Sequence, residues 1–298
     1  MGLPVQTVLV TGGKGMLART LARVLARDCA VVPSDLPETD VTDAAAVEAA
    51  IAAAAPDAVV HCAAMTAVDR CETERDLAFR VNRDGTANVA RACARAGVRL
   101  LAISTDYVFD GDLDRPYRES DPATGGRTVY GQSKFAGEEA VRALCPDHAI
   151  VRISWLYGAG GPSFVHSMMA LSRKGLPELA VVDDQRGNPT SCAAVAAALR
   201  LLLPRHDLRG TFHLTCEGEA TWAEFAREVF RLAGVAQAVR PCSTDEFPRP
   251  APRPADSRLA KERLRAEGLP PMPHWSSALA RFMASEFPPR TDLCAENE

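Results

Sequence analysis

Apolar and polar positions along the first half of the chain fall into blocks whose period switches between strand-like and helix-like. Thr7-Val8-Leu9-Val10-Thr11 is a short apolar run that reads as a buried strand. Leu17, Leu21, Val24 and Leu25 then share one helical face. Val31-Val32 marks a second strand, Val47 and Ile51 a second helix, and Pro56-Asp57 its stop. Ala58-Val59-Val60-His61 is a third strand. A long helix is expected from Asp76 to Ala96, closed by Gly97 as a left-handed cap. Leu100 to Ser104 is the fourth strand, and a helix from Tyr130 leads to a fifth at Ala149 to Ile153.

Strands alternating with helices predict an α/β fold with a doubly wound parallel sheet of Rossmann type. The second half is less regular. Leu179 to Asp183 and Gly210 to Cys216 read as strands, and Ser191 to Leu203 as a helix. Thr221-Trp222-Ala223-Glu224 is a capping box that opens a helix ending at Gly234. Phe247 to Pro254 holds four prolines and reads as a loop. Two short helices are expected near Ser257–Glu267 and Ser276–Phe287, followed by a frayed polar end of about ten residues. This contrast predicts a cofactor domain over 1–160 with a return segment near 185–204. A smaller substrate-binding part would take 161–184 and 205–298.

The bulk numbers narrow the class. With 298 residues, 47% hydrophobic and 24% charged, the chain has the composition of a globular protein. A net charge of −4 offers no nucleic-acid surface. No apolar run is long enough for a membrane span, and the first strand starts too early for a signal peptide. Nine scattered cysteines without a Cys-x-x-Cys pair fit a reducing cytoplasm better than disulfides or zinc. His61, His166 and His213 show no ligand spacing and read as packing or surface residues.

The candidate chemistry lies at the strand ends. Gly12-Gly13-Lys14-Gly15-Met16-Leu17-Ala18 joins the first strand to the first helix as Gly-x-x-Gly-x-x-Ala. Gly12, Gly15, Met16 and Leu17 would bring backbone N–H groups to a dinucleotide pyrophosphate. Asp35, about twenty residues on, would accept from a ribose 2′-hydroxyl and favour NAD, whereas Lys14 would attract a 2′-phosphate and favour NADP. Both cofactors stay open. Asp40 and Val41 fall near the adenosine end, and Ala63, Ala64 and Thr66 follow the third strand, where a cofactor passes.

Tyr130-Gly131-Gln132-Ser133-Lys134 places a phenol and an ammonium one turn apart on a helix face. Such a pair is common on surface helices. Behind a nucleotide-binding start it reads as acid apparatus, the ammonium favouring the phenolate so that the phenol can exchange its proton. Thr105 offers a hydroxyl that could hold a carbonyl oxygen beside the phenol. The acidic run Asp110 to Asp121 reads as a solvated loop near the site mouth.

On these residues the chain resembles the extended short-chain dehydrogenase/reductases, and within them the dTDP-4-dehydrorhamnose reductase family. The specific signatures are Ser104-Thr105-Asp106-Tyr107-Val108-Phe109-Asp110-Gly111 and Val182-Asp183-Asp184-Gln185-Arg186-Gly187-Asn188-Pro189-Thr190. Ala63 to Asp69, Arg152 to Gly158, Gly210 to Leu214 and Arg253 to Ser257 also match. The resemblance implies that Thr105 positions a C4 ketone, Tyr130 donates the proton, and Lys134 lowers the phenol pKa and holds the nicotinamide ribose. It implies NADPH, with NADH possible, and a dTDP-linked 4-keto-6-deoxy sugar as substrate. Val68 and Trp155 match sugar-contacting positions and Tyr107 lies close by, core packing being the competing explanation for Trp155. Family members often carry Mg2+ at a homodimer contact through glutamates that have no clear match here. Three other roles use the same fold: a non-catalytic NADP-binding subunit like the regulatory beta subunit of methionine adenosyltransferase, a ketoreductase of another deoxysugar, and a dehydratase or epimerase. Tyr107 stands where dehydratases place a second acid, which argues against dehydration.

Overall fold

A computed structural model describes residues 5–288; the expected frayed end at 289–298 lies outside the described residues. Strands β1 (Thr7–Thr11), β2 (Ala30–Ser34), β3 (Ala58–His61), β4 (Arg99–Thr105) and β5 (His148–Ile153) are parallel neighbours in one sheet. Leu156–Tyr157 (β6), Glu178–Val182 (β7), Arg186–Gly187 (β8) and Thr190–Ser191 (β9) follow. Gly210–His213 (β10) returns to pair with β5, completing a six-stranded sheet in the order β10-β5-β4-β3-β1-β2. The division expected from the sequence puts β10 on the substrate side, whereas its pairing puts it in the main sheet. Ala220–Thr221 (β11) pairs with β8, and Ala238–Cys242 (β12), which periodicity did not reveal, pairs with β7.

Both faces of the sheet are covered. α1 (Met16–Leu25) and α8 (Cys192–Leu202) pack on one face through Leu17, Leu21, Val195 and Leu199. α2 (Ala44–Ala54), α5 (Thr86–Ala96) and α6 (Val129–Leu144) cover the other through Val47, Val89 and Val141. β1 stands between β2 and β3, so the chain winds away from it in both directions. A cleft opens at such a switch point, outside the carboxyl ends of the strands. The smaller lobe has its own core: α7 (Phe164–Ser172), α9 (Trp222–Ala233) and α11 (Trp275–Glu286) bury Val165, Phe225, Phe230 and Leu279.

Three expectations are corrected. The helix expected over Asp76–Ala96 is not uniform. After α3 (Val68–Thr73), α4 (Arg75–Phe79) runs into a widened π-type turn at Arg80–Gly85 and then into α5. Gly137 of α6 packs so closely on the Asn82 carbonyl that a Cβ there would overlap it, so the turn bulges where two helices touch. Ser257–Glu267 is helical only at α10 (Glu262–Ala266). Its first part is extended, because Asp256, Ser257 and Leu259 bond to Gly111, Arg186 and Asn188 of other segments. The acidic run is not simply a solvated loop. Tyr117 is buried, stacks on Phe109, and its phenolic oxygen accepts the Gly111 and Asp112 N–H groups.

Candidate active site

The cleft has a volume of about 600 Å³ and runs along the ends of β1, β3, β4 and β5. Gly12, Gly15, Met16, Leu17, Asp35, Asp40, Val41, Ala63, Ala64, Thr66, Val68, Thr105, Tyr107, Tyr130, Lys134 and Trp155 all line it. Of the residues singled out in the sequence, Lys14 does not.

The dinucleotide end is shaped by backbone. Gly12 has φ +66°, and a Cβ there would stand 2.7 Å from the Ala63 nitrogen. Only glycine takes this conformation and this approach cheaply. The N-terminus of α1 has no side-chain cap on Gly15, so its first N–H groups stay free for an anion. These residues fit a nicotinamide dinucleotide. Asp35 and Lys14, which competed in the sequence, are tied into one turn. The Asp35 carboxylate accepts the Lys14 N–H at 2.7 Å and the Leu36 N–H at 2.8 Å. The Lys14 ammonium donates to the Leu36 carbonyl. Asp40 bonds Thr42, holding the start of the loop that presents Val41.

The reactive group of side chains meets at the middle of the cleft. Thr105 is the last residue of β4, and Tyr130 and Lys134 lie on the first turns of α6, capped by Thr128. Lys134 is 6% exposed and its Nζ donates to the Ile103 carbonyl at 2.8 Å. Burial lowers its pKa to about 8, while the Glu138 carboxylate one turn on pulls it back up. Burial also raises the Tyr130 phenol above its ordinary value, and a hydrogen bond with Thr105 pulls it back down. Desolvation disfavours the phenolate, so burial favours the protonated, donating form of the phenol.

Several supports escaped the sequence reading. Asn82, fully buried in the π-type turn, accepts the Met65 N–H at 2.8 Å and donates to Ser133 Oγ at 2.9 Å. It clamps the loop after β3 to the helix that carries Tyr130. Glu138 is buried between Arg152 (2.7 and 2.9 Å) and the Ser104 hydroxyl (2.6 Å), fixing the end of β4. His61 bridges Thr11 and Thr86 hydroxyls, with burial lowering its pKa to about 3, so it is a neutral packing residue as expected. None of these carried a local signal, because their partners lie 14 to 51 residues away.

At the sugar end, Trp155 has φ +47°, a rare conformation for a bulky residue. Its indole stacks on Trp222 at 3.5 Å with the rings 5° apart. Its Nε1 donates to Ser257 Oγ at 3.1 Å. A Cβ on Gly187 would fall within the indole, so Gly187 opens the other wall of the slot. Trp155 thus both lines the cleft and packs. The proline-rich strap closes this end: Arg253 pairs with Asp69 at 3.0 Å, beside Val68 and Tyr107. Among the described residues no three His, Cys, Asp or Glu side chains gather around one point for a metal. No helix among them is long and apolar enough to cross a membrane.

Comparison with known proteins agrees with this geometry. The family model described as RmlD substrate binding domain matches residues 6–287. A dTDP-4-dehydrorhamnose reductase of Streptomyces griseus is 48% identical over 278 residues, 91% of each chain. A dTDP-4-keto-6-deoxy-D-glucose reductase of Streptomyces niveus is 40% identical over 92% of this chain and 95% of its own. The crystal structure of dTDP-4-dehydrorhamnose reductase from Bacillus anthracis in complex with NADP superposes with a TM-score of 0.91 at 38% identity, over 94% of this chain and 99% of that one. The chain, with its glycine turn, its Thr-Tyr-Lys centre and its matched length, belongs to the dTDP-4-dehydrorhamnose reductase family.

Proposed function

We propose that this chain reduces the C4 ketone of a dTDP-4-keto-6-deoxy sugar, dTDP-4-dehydro-L-rhamnose to dTDP-L-rhamnose, with NADPH. The observation that carries the reading is the meeting of Thr105, Tyr130 and Lys134 in a cleft whose far end fits a dinucleotide. The cofactor, when bound, supplies hydride to C4. The residues of the chain do the rest. Backbone N–H groups of Met16 and Leu17 at the start of α1, beside the Gly12–Gly15 turn, would hold the pyrophosphate, and Asp35 and Val41 would border the adenosine. Ala63, Ala64 and Thr66, with small side chains, would border the nicotinamide ribose. Thr105 holds the C4 oxygen against the Tyr130 phenol. As the carbonyl π bond breaks, Tyr130 gives its proton to that oxygen, and Lys134 stabilises the phenolate left behind. Val68, Tyr107 and Trp155 bound the sugar. No step calls for a metal.

The test is cofactor oxidation with enzymatically generated dTDP-4-dehydro-L-rhamnose, using NADPH and NADH in parallel. Substrate-dependent oxidation yielding dTDP-L-rhamnose is expected, faster with NADPH. Tyr130→Phe should lower kcat by about 10²–10⁴-fold, the usual worth of a positioned acid, and leave cofactor affinity unchanged. Cofactor binding without turnover would favour the regulatory-subunit role. The similarity to the Streptomyces niveus reductase favours one further substrate for the same assay, dTDP-4-keto-6-deoxy-D-glucose.

A further inference from the structure

Asp106 is the first residue after β4, is 3% exposed, and lies in the wall of the cleft. Its two carboxylate oxygens accept the hydroxyls of Thr105 and Ser154, each at 2.9 Å. Among the described residues no arginine or lysine pairs with it. A buried carboxylate with hydrogen bonds but no cationic partner is costly to ionise.

The hydrogen-bond count at Thr105 gives this a consequence. A threonine hydroxyl has one proton to donate and two lone pairs. Ionised Asp106 can only accept, so it takes that proton. The Tyr107 N–H occupies one lone pair at 3.2 Å. Thr105 then has no proton left to offer a ketone. If Asp106 carries a proton, its O–H donates to Thr105 Oγ1, and the Thr105 proton is released toward the cleft. The Tyr130 phenol, which lines the same cleft, then joins Thr105 as a second donor to the ketone oxygen.

We infer that Asp106 is a positioning residue that acts through Thr105, and that reduction proceeds from the form in which the Asp106 carboxyl is protonated. This rests on the reading of Thr105 as the group that holds the C4 oxygen. It follows also that the cleft keeps negative charge away from an oxygen that becomes more negative during hydride transfer.

Burial raises the Asp106 carboxyl to about 6, against hydrogen bonds from Thr105, Ser154 and Ser257 that lower it. The other ionisable groups facing it are the Tyr107 and Tyr130 phenols. Lys134 lines the same cleft. On the strap, Asp256 is engaged by Arg258, and Arg253 by Asp69, so neither arginine serves Asp106.

The discriminating variant is Asp106→Asn. Its amide always presents an N–H to Thr105 and a carbonyl to Ser154, as the protonated acid does. The measurement is kcat/KM for ketone reduction against pH, with the infrared band of the protonated carboxyl followed in the whole chain. From one unit below to one unit above the Asp106 titration, the wild-type value should fall about tenfold, as the protonated fraction does. In Asp106→Asn the same ratio should stay within about twofold, while the fall that comes from Lys134 near pH 8 persists in both. The infrared band should disappear over the same range as the first fall and be missing in the variant. A variant that keeps the first fall, or a wild-type band missing throughout, overturns the inference. A wild type that reduces no keto sugar removes the functional reading itself, an outcome the variant comparison does not produce.

Discussion

The two ends of the cleft each depend on a glycine that leaves no room for a Cβ, and the neighbours of those glycines differ. At Gly12 the obstacle is backbone, the nitrogen and Cα of Ala63 on the adjoining strand-end loop, and φ is +66°. At Gly187 the obstacle is a side chain, the Trp155 indole held against Trp222. The dinucleotide end is thus shaped by main chain from consecutive motifs. The sugar end is shaped by the Trp155 side chain, held by Trp222 and Ser257 and given room by Gly187. Main chain in a parallel sheet cannot yield without moving strands, whereas an indole can tilt. A fixed cofactor site beside a side-chain-built substrate wall suits a scaffold that keeps one chemistry and changes its sugar.

The largest effect should come from Gly12→Ala. A left-handed alanine costs roughly 1–2 kcal/mol, and the overlap with Ala63 adds strain of similar size. Cofactor affinity should fall on the order of a hundredfold, read by calorimetry, with a lower melting temperature. An unchanged dissociation constant would mean that the pyrophosphate does not lie on this turn. Gly187→Ala should act at the other end only. With φ outside the left-handed region there, the alanine meets only the indole, so overpacking of about 1–2 kcal/mol is shared with ring movement. The keto-sugar KM should rise about tenfold and cofactor affinity hold. The exciton signal of the Trp155–Trp222 stack in circular dichroism should weaken in parallel. Equal losses at both ends would erase the distinction.

The same contrast explains what could be read from the sequence. The glycine turn, the Thr105 strand end and the Tyr130/Lys134 turn are local patterns, and periodicity places them because each belongs to one strand–helix unit. The Thr221 capping box is local too, and it is present as expected, with Thr221 and Glu224 bonding each other's backbone. Asp106 was visible beside Thr105, yet its burial depends on Ser154 and Ser257, 48 and 151 positions away, and periodicity carries nothing about either. The sequence around Ser257 reads as helix for the same reason: its extended course is imposed by Arg186 and Trp155, and no propensity of Asp256-Ser257-Arg258 announces it. The π-type turn at Arg80–Gly85 was lost inside a helical period because only close packing against Gly137 reveals it.

The smallest effect belongs to Asp35, where the two sequence cues met. Its carboxylate is held by the Lys14 and Leu36 N–H groups, so it is a fixed negative charge at the adenosine end. A ribose 2′-hydroxyl could donate to it, and a 2′-phosphate would be repelled by it, unless Lys14 leaves the Leu36 carbonyl to meet the phosphate. Removing the carboxylate takes away one hydrogen bond to NADH and one repulsion toward NADPH, each worth about 0.5–0.7 kcal/mol in a partly exposed site. In Asp35→Ala the preference for NADPH over NADH, as a ratio of kcat/KM values, should therefore rise by about five- to tenfold. The carboxylate also ties the turn, so both cofactors should weaken somewhat; the ratio separates this common loss from discrimination. If the two constants fall together and the ratio stays fixed, Asp35 serves the turn alone. Cofactor choice would then lie with Lys14, and Lys14→Ala would be the variant that moves the ratio, toward NADH.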